Sequence, residues 1–172
     1  MKLYVISGLG ADKTVFENIV FPEKFSEIIF IDWLIPETEE TFEHFVKRMA
    51  KPIDEKEKFC LLGYSFGGIM VQEINKLKPA EKIVILGSIK SQKEMSVTFH
   101  LAKKSKIFSK IPESYFGEKT LKSYAFFRKL FDPKNPKFWR YFVVQNPHYL
   151  KWSINKILDW KCEENPEVIQ IL

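Results

Sequence analysis

The chain has 172 residues, 45% of them hydrophobic and 28% charged, with a net charge of +5. That length suits one domain with a sizeable core, and the composition is that of an ordinary soluble globular protein. No stretch approaches the length of a membrane span, and Met1-Lys2 leads directly into an apolar strand with no signal-like core, so a cytoplasmic location is expected.

Leu3–Ser7 is a short apolar run and predicts the first strand. It ends in Gly8-Leu9-Gly10, and a helical stretch is expected from near Lys13 with Asp12 as its N-cap. Glu27–Trp33 reads as a second strand of the buried type. Thr41–Ala50 is patterned as an amphipathic helix, with Phe42, Phe45, Val46 and Met49 on one face and His44 as a solvated residue on the other. Phe59–Tyr64 predicts the third strand, with Cys60 as a small buried hydrophobe. Phe66–Leu77 predicts the next helix, and Lys82–Leu86 the fourth strand. Continuous apolar strands separated by helices indicate an α/β fold with a parallel sheet covered on both faces.

After Ser88 the alternation stops. Residues 93–160 read as several short helices, with Tyr124, Phe127, Leu130 and Phe131 at helical spacing, and Leu150, Ile154, Ile157 and Leu158 likewise. Pro112, Pro133, Pro136 and Pro147 punctuate them, which places His148 in a turn. Residues 101–140 carry 11 Lys/Arg against 3 Asp/Glu. Basic residues alternate there with core-like aromatics, so a solvated helical face is favoured over a surface for lipid or nucleic acid. Val168–Leu172 returns to a buried-strand pattern. The organisation is therefore a core of residues 1–92 and 161–172 with a helical insertion at 93–160. Two cysteines, Cys60 and Cys162, neither require a disulfide nor make a metal site.

The chemistry concentrates at Gly63-Tyr64-Ser65-Phe66-Gly67. A strand that ends in Gly-x-Ser-x-Gly and turns at once into a helix is what a nucleophile elbow requires. Glycine at both flanks lets strand and helix approach closely while the serine takes a strained backbone. A serine hydroxyl is a weak nucleophile near neutral pH, so a neighbouring base must take its proton. Gly8-Leu9-Gly10 after the first strand lets backbone approach the same place. A dinucleotide site also begins with strand and Gly-x-Gly, and Asp32 lies at a suitable distance for a ribose-binding acid. That fingerprint wants a third glycine where Lys13 stands.

Together the turn Ser7-Gly8-Leu9-Gly10, the elbow Gly63-Tyr64-Ser65-Phe66-Gly67-Gly68 and the helical insertion resemble the α/β-hydrolase family over essentially the whole chain. The resemblance implies a sheet of the α/β-hydrolase type with an inserted helical cap. It implies Ser65 as nucleophile, attacking an acyl carbon, and the backbone N–H groups of Leu9 and Phe66 as the oxyanion hole, with Gly8, Gly10, Gly63 and Gly67 permitting the geometry. The activity implied is hydrolysis of a carboxylic ester or related acyl compound, with no metal or organic cofactor, no nucleic acid partner and no membrane contact. Phe127, Phe131, Phe138 and Trp139 are candidates to line an apolar acyl pocket.

Family members supply an acid and a histidine after later strands, in the order Ser, Asp/Glu, His. Here the histidines are His44, His100 and His148, and the nearest carboxylate beyond Ser88 is Glu94. His100, His148 and Glu94 are the weak candidates; Asp159, Glu163 and Glu164 read as surface charges. The expectation is a hydrolase truncated before its acid and base, impaired in this form, with a homodimer formed through an exposed sheet edge near 168–172. The alternative is a non-catalytic module of the same fold that binds a small ligand or a protein.

Overall fold

The structure is a computed structural model describing residues 1–95, 97–117, 141–163 and 165–172. Five strands form one sheet: β1 (Lys2–Ile6), β2 (Glu27–Phe30), β3 (Phe59–Tyr64), β4 (Lys82–Leu86) and β5 (Val168–Ile171). Their order is β2-β1-β3-β4-β5, and every pairing is parallel. Parallel strands need both faces covered, which is why their sequences are apolar without alternation. β1 shows this directly, since Leu3, Tyr4, Val5 and Ile6 are all buried.

Successive side chains of β1, β3 and β4 enter two different cores. Tyr4, Ile6, Leu61, Ile83 and Ile85 join the larger one, against α1 (Phe42–Met49) and α2 (Phe66–Leu77). Leu3, Val5, Cys60 and Leu62 join a smaller one closed by Phe16, with Phe21, Phe25 and Phe30 at its margin. Thr41 caps α1 by accepting from the His44 N–H. Phe45, Val46 and Met49 are its buried residues, as the spacing predicts, and Phe42 is half-buried.

Three expectations change. The helix expected near Lys13 is a 3-10 turn, Lys13–Phe16. Asp12 does cap it, accepting from the Thr14 N–H, but the β-branched Thr14 and Val15 give little support to a longer helix. The second strand ends at Phe30 instead of Trp33, because Trp33 turns inward to hydrogen-bond the Gly8 carbonyl. His148 lies not in a turn but in a helix, since Pro147 is a helix-starting residue.

Within 93–160 the described helices are α3 (Val97–Ser105), α4 (Ile107–Lys110) and α5 (Pro147–Asp159). Lys106, in the left-handed region at φ 51°, breaks α3 from α4. Asn146 caps α5, which buries Tyr149, Leu150, Trp152, Ser153 and Leu158. Tyr124, Phe127, Leu130, Phe131, Phe138, Trp139 and Glu164 lie outside the described residues. Cys60 and Cys162 are both free thiols. Among the described residues no helix is long and apolar enough to cross a membrane.

Candidate active site

Ser65 stands between β3 and α2 with φ 52° and ψ −116°. For a residue with a Cβ this is a strained conformation, of the kind that persists only where its surroundings fix it. The fixing contacts come from the end of β4 and the loop that follows it. The Ser65 N–H donates to the Leu86 carbonyl at 2.9 Å, and the Ser88 hydroxyl donates to the Ser65 carbonyl at 2.7 Å. The glycines leave no room for anything else. A Cβ at Gly67 would lie within 3.0 Å of the carbonyl oxygens of Ile6 and Ser7, and one at Gly63 would meet the Gly67 backbone as closely. At Gly63 and Gly67, strand β1, strand β3 and helix α2 meet backbone to backbone.

The Ser65 side chain is exposed, and its Oγ has no hydrogen-bond partner among the described residues. A Cβ placed on Gly8 would sit 3.4 Å from the Ser65 Cβ, so the loop after β1 lies directly against the serine. That loop is closed on itself: the Ala11 N–H donates to the Gly8 carbonyl at 3.0 Å, and the Ser7 hydroxyl donates to the Ala11 carbonyl at 2.6 Å. From below, Trp33 donates its indole N–H to the Gly8 carbonyl at 2.8 Å. The same indole stacks on Phe66, centroids 4.9 Å apart and planes 6° apart.

Between these two pieces are unclaimed donors. The Leu9 N–H has no partner among the described residues. The Phe66 N–H belongs to the first turn of α2, where a helix has no carbonyl four residues back to receive it. A developing negative charge near Ser65 would find such groups free.

Helix α5 holds the other side of the loop. Gly10 has φ 69°, and its N–H donates to the Tyr149 hydroxyl at 3.2 Å. Its carbonyl accepts from the N–H groups of Val143 and Val144 at 2.7 and 2.9 Å, and Ala11 forms an antiparallel bridge with Phe142. Tyr149 is fully buried, and that burial holds its phenol far above the usual tyrosine range, so it stays neutral.

The three weak candidates separate clearly. His100 is exposed on α3. Glu94 is engaged with β5, accepting from the Lys90 N–H at 3.0 Å and from Gln170 Nε2 at 2.8 Å. His148 places Nδ1 3.1 Å from Glu113 Oε1, while its Nε2 is buried without a partner among the described residues. Glu113 has no sequence signal of its own, and only the fold brings it to His148. Asp32, weighed as a ribose ligand, is exposed.

His44 is exposed as expected but not free. Its Nδ1 meets Glu40 Oε1 at 2.6 Å, and Arg48 Nη1 meets Glu40 Oε2 at 2.7 Å. Burial pushes the Glu40 carboxyl up, but hydrogen bonds from the Glu37 N–H, Arg48 and His44 outweigh it and hold the group below the usual glutamate range. Ligand atoms of Glu37, Glu40 and His44 lie within 4.8 Å of one another. The Arg48 guanidinium already supplies the positive charge there, so the cluster reads as an ion-pair hub. It also ties α1 to α5, because the Trp152 indole N–H donates to the Glu40 carbonyl at 2.9 Å.

Two clefts lie elsewhere: one of about 330 Å³ beside Gln72, Asn75 and Lys161, and one of about 500 Å³ beside Phe30, Asp32 and Arg48. Neither is lined by Ser65.

No family model and no curated protein sequence matches the chain. Solved structures do. MenH from S. aureus superposes with a TM-score of 0.65 at 16% identity, covering 90% of this chain and 65% of MenH. A hydrolase from Pseudomonas aeruginosa gives 0.61 at 14%, covering 93% of this chain and 64% of the other. The bottromycin epimerase BotH, solved with bottromycin A2, gives 0.61 at 12%, covering 98% and 71%. The chain spans less than two thirds of the length of the first two. At such identities the likeness is one of fold: the chain has the mainly parallel sheet and helices of the α/β-hydrolase fold.

Proposed function

We propose that the protein is a serine hydrolase acting on a carboxylic ester or a related acyl compound. The observation that supports it best is Ser65 itself, exposed yet held at φ 52° and ψ −116°. A turn serves packing equally well with glycine in that conformation, at no steric cost. Keeping a hydroxyl there has a use when the hydroxyl reacts.

In this reading Ser65 Oγ attacks the acyl carbon, and the resulting oxyanion is received by the N–H groups of Leu9 and Phe66. Donors fixed in backbone need not reorganise as charge develops, and one such donor is typically worth about 10²–10³ in rate. The leaving group departs, and water releases the acid from the acyl-enzyme. Residues 93–160 would act as a cap over the ester.

A fluorophosphonate probe tests this on the full protein. The expected result is one adduct, mapped by peptide mass spectrometry to Ser65 and absent in Ser65→Ala. Folded protein that takes up no probe would overturn the reading.

A further inference from the structure

We infer that Trp33 is the positioning residue of the oxyanion site. Its indole N–H fixes the peptide plane that carries the Leu9 N–H, and its ring seats Phe66, which carries the second donor. The inference deepens the hydrolase reading above and rests on it.

An oxyanion donor is effective when it is aimed before the charge develops. The Leu9 N–H belongs to the peptide whose carbonyl is that of Gly8. This unit is planar and trans, so its N–H and C=O point in opposite directions, and whatever holds the oxygen aims the hydrogen. Two donors hold that oxygen, the Trp33 indole N–H at 2.8 Å and the Ala11 N–H at 3.0 Å. A carbonyl oxygen has two lone pairs, and both are then engaged. Each bond it accepts also polarises the amide and makes the Leu9 N–H a stronger donor.

The restraint meets a specific weakness. Gly8 lets the loop pass close to its neighbours: a Cβ there would lie 3.2 Å from Tyr64 Cδ1 and 3.4 Å from Ser65 Cβ. The same missing Cβ leaves nothing on that side to oppose rotation of the Gly8–Leu9 plane. Turned over, the plane would present carbonyl lone pairs where the unclaimed N–H now stands. Trp33 is 7% exposed, so turning over would also leave a buried indole N–H unpaired. On the other side of Leu9, the Gly10 N–H donates to the Tyr149 hydroxyl, and the Tyr149 and Trp33 rings meet with centroids 5.9 Å apart. Both peptides flanking Leu9 are thus clamped, by two aromatic side chains in contact with each other.

Trp33 reaches the second donor through its ring. The indole lies flat on Phe66, with centroids 4.9 Å and planes 6° apart, and Phe66 is itself buried. Phe66 opens α2, so a side chain fixed there fixes the strand-to-helix junction from which its own N–H projects. Buried indoles usually find an acceptor, and packing alone accounts for that much: Trp152 donates to the Glu40 carbonyl and Trp160 to Glu73 Oε1. Trp33 differs in its acceptor, the oxygen of the peptide beside the serine, and in touching both donor-bearing segments at once. Phenylalanine would fill the same place; the indole adds the donor.

The experiment compares the full protein with Trp33→Phe, which keeps an aromatic ring beside Phe66 and removes the N–H. With p-nitrophenyl butyrate, kcat and kcat/KM should fall together by about 10–10³-fold, because the lost interaction belongs to the transition state. A trifluoromethyl ketone labelled with carbon-13 at its carbonyl adds a readout that loosened packing does not move. Ser65 Oγ bonds to the carbonyl carbon, the Oγ proton passes by way of solvent to the ketone oxygen, and the resulting hemiketal hydroxyl ionises into the oxyanion site. Its titration, followed by the carbon-13 shift, should move up by about one pH unit or more in the variant. Unfolding temperatures are measured alongside. Should Trp33→Phe not fold, benzothienylalanine placed at position 33 by nonsense suppression keeps the bicyclic ring and lacks the N–H. A folded variant with wild-type kcat, or one whose hemiketal titration does not move, overturns the inference and leaves Ser65 as nucleophile. Wild-type protein that takes no fluorophosphonate at Ser65 overturns the hydrolase reading and this inference with it.

Discussion

The Tyr149 hydroxyl accepts the Gly10 N–H at 3.2 Å across 139 positions of sequence, joining a helix of the inserted segment to the loop beside Ser65. Tyr149→Phe would leave that buried donor unpaired while keeping the ring. The expected loss is about 1–2 kcal/mol. For a domain of this size that corresponds to an unfolding temperature lower by roughly 2–8 °C, read by a thermal melt. Ester hydrolysis should fall as well, because the loop carrying the Leu9 N–H loses one of its anchors.

Gly67→Ala tests the backbone contact between β1 and α2. Its Cβ would meet the carbonyl oxygens of Ile6 and Ser7 inside 3.0 Å, and backbone cannot step aside as a flexible side chain does. The substitution should cost more than about 3 kcal/mol, at the upper end of single-residue effects. Urea denaturation of the two proteins measures it.

Ser65→Gly should move stability and activity in opposite directions. The strain of a non-glycine residue at φ 52° is worth about 1–3 kcal/mol, and glycine's extra freedom in the unfolded chain takes back part of that. The variant should be more stable by about 1 kcal/mol and should take no fluorophosphonate. Equal or lower stability in urea would contradict the strain.

Glu40 sets an acid limb of stability. Its carboxyl titrates below the usual glutamate range in the folded chain, so its stabilising contribution is complete above about pH 4.3 and is lost as pH falls through the folded value. Glu40→Gln should flatten that limb in melts taken from pH 6 downward. At neutral pH it should cost about 2–3 kcal/mol, since Arg48 and the Glu37 N–H would face a weaker acceptor.

Much of the frame was legible in sequence because its signals are local. Phe59–Tyr64 and Lys82–Leu86 are strands at the predicted bounds, and Phe66–Leu77 is the predicted helix. Each is set by an apolar run and the glycines or prolines beside it. What escaped depends on distant partners. Trp33 leaves its strand pattern because the Gly8 carbonyl accepts its indole N–H, 25 positions away. Pro147 reads equally as punctuation or as the first residue of a helix, and only the packing of Tyr149 and Leu150 decides it. Glu113 is an unremarked surface glutamate until α5 brings His148 to it, 35 positions on. His44 was legible as exposed, but not as the partner of a buried glutamate just before the helix.

The carbonyl of Ser65 is held by the Ser88 hydroxyl, its N–H by Leu86, and Ser88 in turn lies where a Cβ on Gly68 would be. The elbow is therefore stapled to the centre of the sheet and has no local way to open. The Ser65 amide proton, held by the Leu86 carbonyl, should exchange with solvent only when β3 and β4 separate, that is, in the globally unfolded chain. A reactive Ser65 would then report on the whole molecule, since no partly opened form could keep the serine poised while the sheet comes apart.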